Sequence, residues 1–303
     1  MSYSITCSRI VTYAIPLLLV TSLFSNDYVF AHNFAPNESA QFLSLIRLLE
    51  TEASLVGQNL VNNNTQLAQD HAKAAITALS PAVLSEITER NERIATDLKT
   101  SLDNLYEFAS SSENNTVNSA ELESKIEEVK AILGETISAR IDPDQINNAT
   151  IQALSFANLI DRILKSYGDA YAVGFDLTDM SQMGRMGMNM NMNMDNNSSD
   201  MGMNMNMMAS TSDTYNELVN VTGYQTAQAL SEQGIEIFKS ELKPLVEGED
   251  RINMAVNLEN ALIELNNSIE NKASPMDIMM IVHTKVHPNI LSIFNLPLVT
   301  PPS

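Results

Sequence analysis

Apolar side chains return at steps of three and four residues along most of this chain. Phe42, Leu45, Ile46, Leu49, Ala53, Val56 and Leu60 form the clearest stripe, the spacing that lines one face of a helix. Asn62-Asn63-Asn64 ends it, and an alanine-rich helical pattern follows from Leu67 to Leu79. Three later starts share one punctuation, a capping residue followed by proline at the first helical position: Ser80-Pro81, Asp142-Pro143 and Ser274-Pro275. Gln145 and Asp277 stand where a capping box places its partner, or an imitation of it.

The pattern predicts helices over 38–61, 65–79, 81–110, 117–139, 143–172, 213–245, 249–271 and 275–286, with a short one over 288–295. No segment shows sustained two-residue alternation of β-branched residues, tryptophan is absent, and only 10 of 303 residues are glycine. The expected fold is all-α, a multi-helix bundle or bundles of long antiparallel helices with a disordered methionine-rich insertion. The expected organisation is a signal peptide over 1–31, an N-terminal helical bundle over 32–177, a flexible loop over 178–212 and a C-terminal helical part over 213–303. Whether the two helical parts share one core is open at this level.

The insertion is the strongest functional signal. Of the 17 methionines, 12 fall between Met180 and Met208. One arm carries Met186, Met188, Met190, Met192 and Met194; the other carries Met201, Met203, Met205 and Met207. Asp195-Asn-Asn-Ser-Ser-Asp200 lies between them as a turn-like spacer. A two-residue step makes no helical stripe. In an extended chain it puts every thioether on one face and Asn or Gly on the other. Thioethers are neutral, soft donors, suited to Cu(I) and poorly suited to hard dications. A low-complexity linker, or an oxidant sink cycling through sulfoxide, would have the same composition.

The N-terminus bears on where such chemistry would take place. A short region with Arg9 as its one cation precedes an apolar run from Ile10 to Phe24, then a polar break at Asn26-Asp27 and a V-x-A site at Val29-Phe30-Ala31. That layout is the one expected of a cleavable secretory signal, with an uncleaved anchor as the alternative. No later run is long enough to span a bilayer, so no membrane insertion is expected after cleavage. The single cysteine, Cys7, lies in the signal, so the expected mature chain has neither thiol nor disulfide. The formal net charge of −20 argues against nucleic acid and anionic lipid as partners. N-x-S/T sequons such as those at Asn37, Asn63, Asn114, Asn148, Asn196, Asn220 and Asn266 fit an exported and glycosylated surface.

Histidines supply the remaining candidate ligands. Cleavage after Ala31 would expose His32 as an N-terminal amine–imidazole chelate for Cu(II), as in some exported copper proteins. His283 and His287 are four apart, which lets two imidazoles share a metal on one helical face, with Met279 and Met280 just upstream. Pro288 opposes this, because the residue before proline disfavours helical geometry. His71 falls on the apolar face of its helix, where a satisfied core histidine is expected. H-E-x-x-H, E-x-x-H, C-x-x-C, G-x-S-x-G, Walker and G-x-G-x-x-G motifs are all missing, so an enzyme is not expected.

The M-x-M clusters of residues 186–207 resemble the methionine motifs of extracytoplasmic copper proteins, including copper-transporter ectodomains and copper-resistance proteins. An acidic, Asn-rich helical chain with Met/Asn repeats is also similar to exported proteins of ammonia-oxidising archaea, which depend on copper enzymes outside the membrane. Leu258 to Pro288 is similar in its leucine and alanine pattern to the helical ectodomain of iron-permease-like proteins, although Glu259 and Glu264 are five apart rather than in an E-x-x-E motif. The first resemblance implies a secreted or surface protein that buffers, stores or delivers Cu(I), with an envelope copper protein as a partner. The competing expectations are a structural or interaction protein of the cell envelope, with the loop as spacer, and an iron-linked transport accessory.

Overall fold

Three- and four-residue spacing builds helices throughout the described chain. The computed structural model describes residues 35–112, 118–179 and 217–296, and among these there is no strand. The fold is all-α. Its helices are α1 (Pro36–Val61), α2 (Thr65–Ala78), α3 (Pro81–Arg90), α4 (Glu92–Ser111), α5 (Ser119–Arg140), α6 (Pro143–Ile146), α7 (Ala149–Ala170), α8 (Val221–Ile237), α9 (Glu249–Glu270), α10 (Pro275–Ile281) and α11 (His287–Phe294). Among the described residues no helix is long and apolar enough to cross a membrane.

Two of the three cap-proline starts work through the side chain. Ser80 Oγ accepts from Val83 N at 3.3 Å, and Ser274 Oγ accepts from Asp277 N at 3.2 Å. Asp142 makes no such bond, and the helix it opens lasts only four residues. The predicted helix over 81–110 is instead two. Asn91 takes an extended backbone (φ −161°, ψ 100°), and its Oδ1 caps α4 by accepting from Ile94 N. Likewise the predicted helix over 143–172 is interrupted before Asn148, whose Oδ1 accepts from Thr150 N and Ile151 N. In both places asparagine offers the backbone a competing hydrogen bond that periodicity does not register.

At the C-terminal end the difference runs the other way. Pro288 does not stop the helix: His287 is helical (φ −57°, ψ −47°), and α10 continues into α11 through a π turn, Val282–Val286. Proline lacks an N–H and crowds the carbonyl four residues back. A widened turn just ahead of it relieves both problems, and the Lys285 carbonyl accepts from Asn289 Nδ2 at 2.6 Å. The same device recurs at Pro244, which follows a π turn over Phe238–Leu242.

Buried side chains among the described residues form two clusters. The first holds the apolar faces of α1 to α5, with Leu49, Val56, Leu98, Leu105 and Leu133 at its centre. The second is built by α7 to α11, including Phe156, Tyr167, Leu230, Phe238 and Leu262. Leu48 and Leu154 pack against both. α7 precedes the methionine segment in sequence, yet it completes the second cluster and packs most extensively against α8. Gly223 makes that approach possible: a Cβ there would meet the Ser166 carbonyl oxygen at 2.9 Å.

Candidate metal centre

The nine alternating methionines, Met186 to Met207, lie outside the described residues, as do His32 and the sequons at Asn114 and Asn196. The two ends from which the methionine segment departs are described, and both are fastened to the last turn of α7. On one side Val173 N donates to Gly168 O at 2.9 Å, and Leu177 packs its buried side chain against Gly168. Asp176 Oδ1 accepts from Thr178 N and Thr178 Oγ1, closing a tight turn just before Met180. On the other side Val219 N and Asn220 N both donate to Ala170 O, at 2.9 and 3.0 Å.

His283 and His287 stand at that root. Their rings meet edge to face with centroids 5.3 Å apart. His283 Nε2 lies 2.9 Å from Leu177 O. A carbonyl oxygen only accepts, so Nε2 carries the hydrogen and the neutral ring keeps its lone pair on Nδ1. His287 Nε2 sits 3.2 Å from Asp161 Oδ1, at ion-pair distance though not in hydrogen-bond alignment. Anchoring the far nitrogen on a carbonyl or carboxylate is how proteins orient imidazole ligands toward a metal. Of the two upstream methionines, Met279 is fully buried in the core and Met280 is exposed. Among the described residues no three His, Cys, Asp or Glu side chains are grouped so as to hold a metal. The pair therefore offers two imidazoles, two short of a tetrahedral set.

Burial pushes the His283 imidazole below its ordinary pKa, and nearby His287 acts the same way, while the Leu177 bond opposes the shift. A lowered pKa keeps the ring neutral, the form that binds metal. The sign for stability follows: the unfolded chain takes up this proton first as pH falls through about 6.5. Stability contributed by His283 is thus present above that pH and is lost as pH falls toward the lowered folded value. Urea unfolding at pH 8 and pH 5 should show a smaller loss for His283→Gln than for the wild type; an equal loss would place the titrating group elsewhere.

His71, the expected core histidine, is fully buried and bonded through both nitrogens, to Glu52 Oε2 at 2.7 Å and Gln225 Oε1 at 2.8 Å. Glu259 and Glu264, the acids in the iron-permease-like stretch, are taken up by Lys243 and Lys285. Among the sequons, Asn148 and Asn220 are exposed helix caps, Asn63 is exposed with φ 58°, and Asn37 is exposed in the first turn of α1. Asn266 lies inside α9 with its amide engaged on both sides, by Ser231 Oγ and Glu270 Oε1.

Two clefts flank α1. One, of about 550 Å³, is lined by Glu50, Glu232 and Glu236, hard oxygen donors that do not suit Cu(I); burial raises the Glu50 pKa, and Arg47 opposes it. The other, of about 690 Å³, lies among α1, α2, α7 and α8 and carries Lys73, Arg162 and Lys165. Neither the buried Glu52–His71 pair nor this basic group emerges from sequence motifs. The one available signal was a carboxylate, Glu52, set within the apolar stripe of α1. No protein-family model, curated protein or solved structure matches the chain.

Proposed function

We propose that this is a secreted or surface protein that binds Cu(I) through Met186, Met188, Met190, Met192, Met194, Met201, Met203, Met205 and Met207, and so buffers, stores or delivers the ion outside the cytoplasm. The observation that carries this reading is the two-residue methionine step in two arms around an acidic spacer. It supplies many soft donors and no competing thiol. The described structure adds support at the root of the segment. His283, held on Leu177 O three residues before Met180, and His287, in edge-to-face contact with it, present two imidazoles, so mixed thioether and imidazole ligation needs no long reach. The helices have the role of a stable base, and no catalytic step is proposed.

The test is an anaerobic titration of the full chain against a competing Cu(I) chelator. A variant with all nine methionines replaced by leucine should lose competition for Cu(I) while its helical circular dichroism is unchanged. Equal Cu(I) affinity in the two proteins would overturn the reading.

A further inference from the structure

The cleft among α1, α2, α7 and α8 brings together three cations, none of them in an ion pair among the described residues. This protein has 37 acidic residues to 17 Lys and Arg, so an unpaired cation has many carboxylates it might have met. Most described cations do pair, among them Arg47, Arg93, Lys99, Arg140, Lys243 and Lys285. Lys73, Arg162 and Lys165 have no ion-pair partner among the described residues, and all three line this one cleft.

Arg162 is the decisive member. It is half-buried, and its Nε–H donates to the Ser44 hydroxyl at 3.0 Å. Burial alone lowers its pKa, with no carboxylate acting in the other direction. Its remaining N–H groups are open to an anion that enters the cleft. The acids that share the cleft do not fill that role. Glu52 is held by His71 and Thr226, Asp70 accepts from Gln66 at 3.0 Å, and Asp169 is exposed. The rest of the lining includes an apolar wall of Leu45, Leu48, Ala74, Ala78 and Val83.

We infer that this cleft is a binding site for a small organic carboxylate with an apolar body, its head group held by Arg162, Lys165 and Lys73 and its body laid on the leucine and alanine wall. Arg162 supplies planar, paired donors, and the two lysines add charge at the mouth. The volume of about 690 Å³ suits a ligand of this size. None of the proposed contacts is a methionine, and the site needs no metal.

Hexanoate is the probe, followed by amide chemical shifts of the isotope-labelled full chain without copper. Saturable shifts are expected, including those of Thr222 and Gly223 at the cleft wall. Arg162→Gln should weaken binding by about tenfold or more. Lys165→Gln, an exposed change that leaves the core untouched, should weaken it several-fold, and Arg251→Gln on α9 should leave it unchanged. Hexanol, with the same body and no charge, should give no saturable shift. Linear, unsaturated shifts with hexanoate, equal binding in Lys165→Gln, or hexanol binding as well as hexanoate would each overturn the assignment.

Discussion

Glu52→Ala is expected to destabilise the fold by about 3–5 kcal/mol and to lower Tm by about 10 °C. The reason is a buried polar chain joining α1, α2 and α8. Asn59 Nδ2 donates to the Leu55 carbonyl at 2.9 Å, which fixes which end of that amide carries hydrogens. The same nitrogen reaches Gln225 Oε1 at 3.0 Å. An acceptor therefore faces His71 Nε2 at 2.8 Å, so Nε2 carries a proton. His71 Nδ1 faces Glu52 Oε2, and Glu52 Oε1 accepts from Thr226 Oγ1 at 2.8 Å. Removing the Glu52 carboxylate leaves the fully buried His71 imidazole short of a partner, while Thr226 Oγ1 keeps only the Thr222 carbonyl, at 3.0 Å. The single change His71→Leu should cost a similar amount. Glu52→Leu with His71→Leu should cost clearly less than the two single changes added, because no charge is then stranded. Urea unfolding of the four proteins measures the cycle; single costs below about 1 kcal/mol that simply add would refute this account.

Phe238→Ala is expected to cost about 3–5 kcal/mol by a different route. Phe238 is fully buried in the π turn that ends α8, and its ring centroid lies 6.1 Å from that of Phe156 on α7. Truncation removes apolar contact from the most extensive helix pair in the fold and opens a cavity that α7 and α8 are too well packed to close. The urea midpoint should fall with the slope unchanged. Below its melting temperature the variant should still bind Cu(I) as the wild type does, because none of the proposed thioether ligands belongs to α7 or α8. A parallel loss of Cu(I) binding would mean that ligation depends on the α7–α8 contact.

Helix positions were legible wherever apolar periodicity and a cap agreed. Ser80 and Ser274 cap their helices through the side chain, and α1, α2, α5 and α9 begin and end within two residues of expectation. The breaks at Asn91 and before Asn148 were not legible, because both stretches keep the apolar step while one asparagine turns inward to cap. In sequence, Pro288 opposes a shared helical face because the residue before proline disfavours helical geometry. The π turn before it lets the helix pass, and so His283 and His287 stay on one face with their rings in contact. The groups they meet, Leu177 O as hydrogen-bond acceptor and Asp161 at ion-pair distance, lie more than a hundred residues away in sequence. No local pattern encodes that meeting.

The residue pattern by itself determined that the chain is helical, that its acids far outnumber its cations, and that soft sulfur donors are gathered in one segment at a two-residue step. These are properties of residue type and spacing, and they need no partner. Tertiary structure alone decided what required two distant elements: that Glu52 meets His71, that the histidine pair stands beside Leu177, and that Arg162, Lys165 and Lys73 share a cleft without an ion pair among the described residues. Periodicity says which face of a helix is buried. Only packing says which helix covers it, and therefore which charges end up paired and which are left to bind something else.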